Sequence, residues 1–298
     1  MEEMTREEWL KARKEGIGAS DAAAVCGVSP WQTQLEVYLD KTTDVTEDDF
    51  EKKPWLKLGQ KLEPVIAELY SEKTGAELAL PPALQRHKEF QYIMANPDRT
   101  RTDDSRNVQC KSAAFRDPEL WGEEGSDEIP EWYLVQVQHE MTVCGANLTD
   151  LAVLFGGREF CVYSVPYDKA MADEILDVER KFWNEHVIPE VPPQPDFEHA
   201  TTVALIKAMY GVDESKIVDL PDIANTIVAD YNNAAEAMKL AKKEQDEAKA
   251  KLLSLMGEAA VANIEGGPTI TRKMVQRKGY EVKPSEYIRF SIKKGAKQ

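Results

Sequence analysis

No pair among the four cysteines, Cys26, Cys110, Cys144 and Cys161, has CxxC spacing, and three of them lie in apolar surroundings. That sets aside a thiolate metal knuckle or a disulfide framework, and leaves reduced thiols as the expectation. The four histidines, His87, His139, His186 and His199, make no HExxH or paired zinc pattern. No apolar run reaches the roughly 18 residues of a membrane-spanning helix, and Met1-Glu2-Glu3 opens no signal peptide. A soluble, cytoplasmic protein is expected, with no membrane partner. Positive charge is also scarce. Against 53 Asp and Glu there are 37 Lys and Arg, a net charge of −16, unusual for a protein that holds DNA. The shortage is uneven. From Thr271 to Gln298 nine Lys and Arg face two Asp and Glu, so that stretch carries +7 and the rest −23. A local basic surface can still bind nucleic acid; a solvated tail is the alternative.

What is present is a chain of 298 residues, 42% hydrophobic, enough for one large domain or a domain with an appendage. A short charged helix is expected over 5–16. Ser20 and Gly27 bracket a second helix as N-cap and stop, and a third covers 33–41. Leu58, Leu62, Val65, Ile66, Leu69 and Tyr70 recur at helical spacing over 56–74, closed by Gly75. Strands are expected at 88–95 and 108–113, around a turn-rich tip at 103–107. Pro130 suits the first position of a helix over 131–144, ended by Gly145. Apolar runs at 149–155 and 159–165 flank Gly156-Gly157 as a hairpin, and an amphipathic helix covers 167–187. Pro189, Pro192, Pro193 and Pro195 mark a domain boundary. We therefore expect a domain over 1–195 and an extension over 196–298. In the extension, 200–210 is read as a short helix and Pro221 to about Gly257 as a long one. Two or three basic strands are expected over 261–293. The stripe Ile227, Tyr231, Ala234, Met238, Ala241 along the long helix suits a coiled coil or packing on the chain's own domain.

Chemistry concentrates in Asn96-Pro97-Asp98 and Val108-Gln109-Cys110-Lys111-Ser112. A carboxylate just past a proline, a hairpin and then an acid-x-Lys strand is the arrangement of a metal-dependent nuclease core. Phosphodiester hydrolysis uses Mg²⁺, a hard cation that takes oxygen ligands. On a strand residues i and i+2 share a face, so positions 109 and 111 point the same way. Cys110 then offers only its carbonyl. Asp98 comes from the neighbouring strand. The acid position, however, holds Gln109.

Five motifs in order, GIGASDAAAVCGVSPW, LGQKLEPVIAELY, ANPD, QCK and YLVQVQHEMTVCG, resemble the YqaJ-type viral recombinase family, relatives of phage lambda exonuclease in the PD-(D/E)XK superfamily. The resemblance covers residues 1–187. It implies an α/β fold: a mixed central β-sheet flanked by helices, restriction-endonuclease-like, with the long helix and small basic β-rich tail appended. It implies a Mg²⁺-dependent enzyme (Mn²⁺ substituting) that digests linear double-stranded DNA 5′→3′ from its ends during phage-type recombination. It also implies a homo-oligomeric ring, a single-strand annealing partner and, if phage-encoded, the host cytoplasm. Glu63, Asp98, Gln109 and the Cys110 carbonyl correspond to the metal ligands, and Lys111 to the catalytic lysine. Tyr133 and Gln136, one helical turn apart, correspond to the supporting pair. Arg13 and Ser20 correspond to a DNA 5′-phosphate pocket, where a helix start and an arginine favour an anion. Bland alternatives stand beside these: an exposed helix glutamate, helix-surface polarity, a plain cap and a surface arginine. His139 and Glu140 are read as structural or solvent-facing. Where the family has glutamate, Gln109 is neutral and holds a cation more weakly. It is either an engineered substitution or a natural variant with lowered activity. The runner-up is a non-catalytic DNA-end-binding or scaffold protein on the same fold.

Overall fold

In the computed structural model, residues 6–43, 54–82 and 84–276 are described. The helices in chain order are α1 (Arg6–Lys14), α2 (Ala19–Val25), α3 (Gln34–Thr42), α4 (Pro54–Thr74), α5 (Glu131–Cys144), α6 (Lys169–Phe182, continued by a π turn Trp183–Val187), α7 (Thr202–Met209) and α8 (Ile223–Met256). The strands are β1 (Ile17–Gly18), β2 (Leu78–Ala79), β3 (Gln85–Arg86), β4 (Ile93–Ala95), β5 (Arg99–Arg101), β6 (Asn107–Ala113), β7 (Leu148–Phe155), β8 (Glu159–Pro166), β9 (Val261–Asn263) and β10 (Thr269–Thr271).

The central sheet runs β2-β5-β6-β7-β8. β5 and β6 form the expected hairpin, antiparallel, with Arg99 opposite Val108. At its tip Ser105 takes the left-handed φ of 60°. β6 and β7 are parallel, Gln109 opposite Leu151, so the chain must cross over between them. α5 makes that crossover and covers one face. Gly145 ends it in the left-handed conformation, φ 75°, and donates its N–H back to the Met141 carbonyl, a stop that glycine adopts without strain. The alternation along β6 then decides what faces what. Val108 and Cys110 pack with Ile66, Ala67 and Tyr70 of α4. Leu151, beside Gln109, packs with Val137 and Met141 of α5. The mixed α/β sandwich expected from the sequence is what the chain forms.

Three local expectations need correction. Residues 88–92 form a turn, not strand, and only β4 of that run pairs, between β1 and β3. Ser20 is not the cap of α2. Gly18 is, because Asp21 Oδ2 reaches back to accept the Gly18 N–H at 3.2 Å, and Ser20 lies inside the first turn. Pro130 takes the cap position rather than the first helical one. The chain divides into compact units after Met209, beyond the proline-rich segment: Thr202 Oγ1 donates to the Asp196 carbonyl, and Leu205 and Met209 join the core with Ile17, Leu35 and Phe182. The second unit holds α8 and an antiparallel β9–β10 pair. Residues 277–293 of the expected basic strands lie outside the described residues.

Candidate active site

Asp98 sits where β5 begins, just past buried Pro97, whose ring fixes the approach of the chain. Its Oδ2 accepts the Cys110 backbone N–H at 2.8 Å. Its own N–H donates to Gln109 Oε1 at 3.3 Å. The two ends of the hairpin thus lock Asp98 beside Gln109, which is 4% exposed. Burial lifts the Asp98 carboxyl to about 6; Lys111 opposes the shift and Glu63 adds to it. Glu63 reaches in from α4, directly before Pro64. A proline inside a helix removes a backbone bond and bends the axis. Glu63 Oε1 accepts from Arg99 Nη1 at 2.6 Å, so an arginine holds this carboxylate.

From the other side, α5 closes the site. Lys111 Nζ lies 5.5 Å from the Tyr133 ring centroid, a cation–π distance. Gln136, also buried, donates from Nε2 to Glu140 Oε1 at 3.0 Å. Glu140 is 1% exposed and its Oε2 has no hydrogen-bond partner. Burial pushes its carboxyl up to about 7, against Lys111 and the Gln136 bond and with the help of Asp98. Of the two readings of His139 and Glu140, solvent-facing or structural, burial overturns the first. His139 is equally buried, with Nδ1 2.6 Å from Glu179 Oε1 and Nε2 2.8 Å from the Met94 carbonyl. Sequence reasoning passed over Glu140 although it stands four residues after Gln136, on the same helix face; that spacing was the available clue.

The structure thus brings Asp98, Gln109, Lys111, Tyr133 and Gln136 together, with Glu63 alongside. Arg13 belongs to α1 and Ser20 to the first turn of α2, which packs through Ala22 and Ala23 against Val135 of α5. Arg13 Nη2 pairs with Asp21 at 3.0 Å, and Lys41 Nζ reaches the same carboxylate at 2.7 Å. Burial opposes the Asp21 charge, but Lys41 and Arg13 outweigh it and hold the carboxyl below its usual range. Ser20 is exposed. α2 has only seven residues and a buried anion in its first turn, a weak start for an anion site.

Among the described residues, no three His, Cys, Asp or Glu side chains by themselves form a metal-binding group. Two hard oxygen donors stand together here, the Asp98 carboxylate and the Gln109 amide oxygen, with the Cys110 backbone alongside. The thiols are poor candidates, since burial raises Cys26, Cys110 and Cys144 to about 12 and all four cysteines are free. Among the described residues no helix is long and apolar enough to cross a membrane.

Residues 8–147 match the model of the YqaJ-like viral recombinase domain. Over 220 residues the chain is 34% identical to the uncharacterized protein YqaJ of Bacillus subtilis, covering 73% of this chain and 68% of that protein. Among solved structures, an alkaline exonuclease from Laribacter hongkongensis aligns with TM-score 0.47 and 19% identity, over 62% of this chain and 94% of that one. A phage-related exonuclease from Haemophilus somnus aligns with TM-score 0.38 and 13% identity, over 59% and 96%.

Proposed function

The chain belongs to the family of YqaJ-like viral recombinase domains, and we propose that it is a metal-dependent exonuclease digesting linear double-stranded DNA 5′→3′ from its ends. One observation carries the reading: a single hairpin places Asp98 against Gln109 and Cys110, with Lys111 on the same strand face as Gln109. The residues fit a hard divalent cation. The donors are oxygens, and buried Glu140 Oε2 is left without any partner, as in a pocket short of positive charge. Asp98, Gln109 Oε1 and the Cys110 carbonyl would hold Mg²⁺ or Mn²⁺, with Glu63 once it leaves Arg99. The cation supplies the polarising and water-activating chemistry. Lys111 offsets the charge of the scissile phosphate and holds the attacking water. Tyr133 and Gln136 set the position of that lysine and close the site. Arg13 and Ser20 would receive the 5′-phosphate, chiefly through Arg13, which must share its charge with Asp21.

We place the nuclease in residues 1–195 and treat 196–298 as an extension whose first helix, α7, packs back onto the nuclease core. A ring of several copies would keep the enzyme on its strand, and a single-strand annealing protein would take the product. Gln109 keeps the ligand oxygen but not the charge, so this chain should cut more slowly than its glutamate form. The test is Mg²⁺-dependent release of nucleotides from linear duplex by this chain and by Gln109→Glu. The glutamate form should be at least about tenfold faster, the scale of about 1.4 kcal/mol. If neither form releases nucleotides while both hold duplex ends, the protein is a non-catalytic end-binder.

A further inference from the structure

Glu140 has an oxygen that nothing in the fold uses. Its carboxylate is 1% exposed. Gln136 Nε2 grips Oε1 at 3.0 Å and so fixes the orientation of the group. Oε2 has no partner. A buried polar atom without a partner is costly and uncommon, and more so in a carboxylate. A residue serving packing alone gains nothing by carrying it.

Its position along α5 can be worked out from both ends of the contact with β6. Lys111 meets Tyr133 near the start of the helix, and Asn107 lies beside Cys144 at its end. α5 therefore runs over β6 in the opposite direction. From Tyr133 to Cys144 is about 16 Å of helix at 1.5 Å per residue, and from Lys111 to Asn107 about 13 Å of strand at 3.3 Å per residue. Glu140 falls nearly two thirds of the way along the first span, which on the second is the level of Val108 and Gln109. Of those two, Gln109 faces α5, whereas Val108 packs toward α4. His139, next along the helix, holds the carbonyl of Met94 on the segment leading into Asp98. Both Lys111 and Asp98 act electrostatically on the Glu140 carboxylate.

We propose that Glu140 supplies, from α5, the carboxylate ligand that Gln109 does not supply from β6. This rests on the metal-dependent nuclease reading and refines it: the charge on the cation's shell has moved across the cleft from strand to helix, and the site is a rearranged one rather than a depleted one. It assigns the unpartnered Oε2 a partner, the divalent cation, while Gln136 acts as the residue that aims it.

The test is calorimetric titration of metal-free protein with Mn²⁺, alongside melting with and without Mn²⁺. Glu140→Gln keeps the shape and an acceptor for Gln136 but removes the charge. It should weaken Mn²⁺ at least about tenfold and shrink the melting shift that Mn²⁺ produces. The exchange Gln109→Glu with Glu140→Gln should bring affinity back to within about threefold of the parent. Unchanged affinity in Glu140→Gln, or an exchange no better than Glu140→Gln alone, overturns the proposal. If Glu140→Gln does not fold, the exchange is compared with Gln109→Glu alone. The latter, holding both carboxylates, should bind at least about tenfold tighter, and equality overturns the proposal. A parent chain and a Gln109→Glu form that both ignore Mn²⁺ would remove the metal reading as well. A parent that binds Mn²⁺ no better than Glu140→Gln removes this inference alone.

Discussion

Replacing His139 by leucine should destabilise the first unit by about 3–5 kcal/mol, because it strands Glu179 in the interior as an unpaired charge. Both ring nitrogens of His139 face acceptors, Glu179 at 2.6 Å and the Met94 carbonyl at 2.8 Å, so the doubly protonated ring satisfies both. Burial resists that charge, but Glu179 and the hydrogen bonds outweigh it and lift the imidazole from 6.5 to about 9. A basic group raised in the folded state stabilises fully below its unfolded value. That stability is lost as pH climbs from 6.5 through 9, by about 3 kcal/mol in all at 1.36 kcal/mol per pH unit. Of the other groups near the pair, Asp98 at about 6 and the Cys26 thiol, which feels Glu179, at about 12 titrate outside this window, whereas Glu140 at about 7 falls inside its lower end and adds to the slope only close to pH 7. The assay is urea unfolding of metal-free protein followed by tryptophan fluorescence. All six tryptophans, Trp9, Trp31, Trp55, Trp121, Trp132 and Trp183, stand within residues 1–209, so the signal reports the unit that holds the pair. The parent should weaken steadily from pH 7 to 9. His139→Leu should be weaker at pH 7 and nearly flat from pH 8 to 9, above the Glu140 titration. In His139→Leu with Glu179→Leu the slope should stay flat while much of the loss is recovered. A parent whose stability does not change between pH 7 and 9 would refute a charged His139.

Lys111→Ala in the Gln109→Glu background should abolish nucleotide release yet leave duplex-end binding within a fewfold. A variant that loses binding too would make Lys111 a structural residue. Arg13→Ala should reduce the preference for 5′-phosphate over 5′-hydroxyl ends in digestion of matched duplexes by a fewfold, limited by the charge that Asp21 already takes from Arg13; equal rates on both ends in the parent would remove the pocket. Removing residues 271–298 should weaken DNA binding and flatten its salt dependence, by nearly one in the log–log slope for each phosphate that a basic side chain no longer neutralises. Affinity unchanged across a salt series would leave that segment a solvated tail.

The α/β order was readable because each element carries its own local pattern. The 3.6-residue apolar spacing of α4, the Gly145 stop of α5 and the turn chemistry between β5 and β6 are decided within a few residues of each other. Asp98, Gln109 and Lys111 were readable for the same reason, since one hairpin brings them together. What escaped was decided at a distance. Gly18 caps α2 because Asp21 turns back to it, and Asp21 is held there by Lys41 from α3. A capping serine is a local preference that a buried ion pair overrides. Glu140 and His139 looked like ordinary polar helix residues because nothing near them in sequence shows that α5 is covered on two sides, by the sheet below and by α2 and α6 beside it. Likewise the Arg99–Glu63 pair joins an element 36 residues away.

The parallel pairing of β6 with β7 carries a consequence for how the chain reaches its native state. A hairpin closes locally and fast, but these two strands can meet only after the whole excursion from Ala113 to Leu148, α5 included, has been gathered in. Such non-local closure is slow and lies late on a folding route. Lys111 can meet Tyr133, and Glu140 can meet the β5–β6 hairpin, only when that step is complete. Asp98 and Gln109, by contrast, come together with the hairpin itself. A nascent or half-folded chain therefore holds the metal-side residues of the cleft without its covering helix. On the proposed nuclease reading, cutting competence arrives in one late event, and refolding experiments should find tertiary order in the hairpin region before any nucleotide is released.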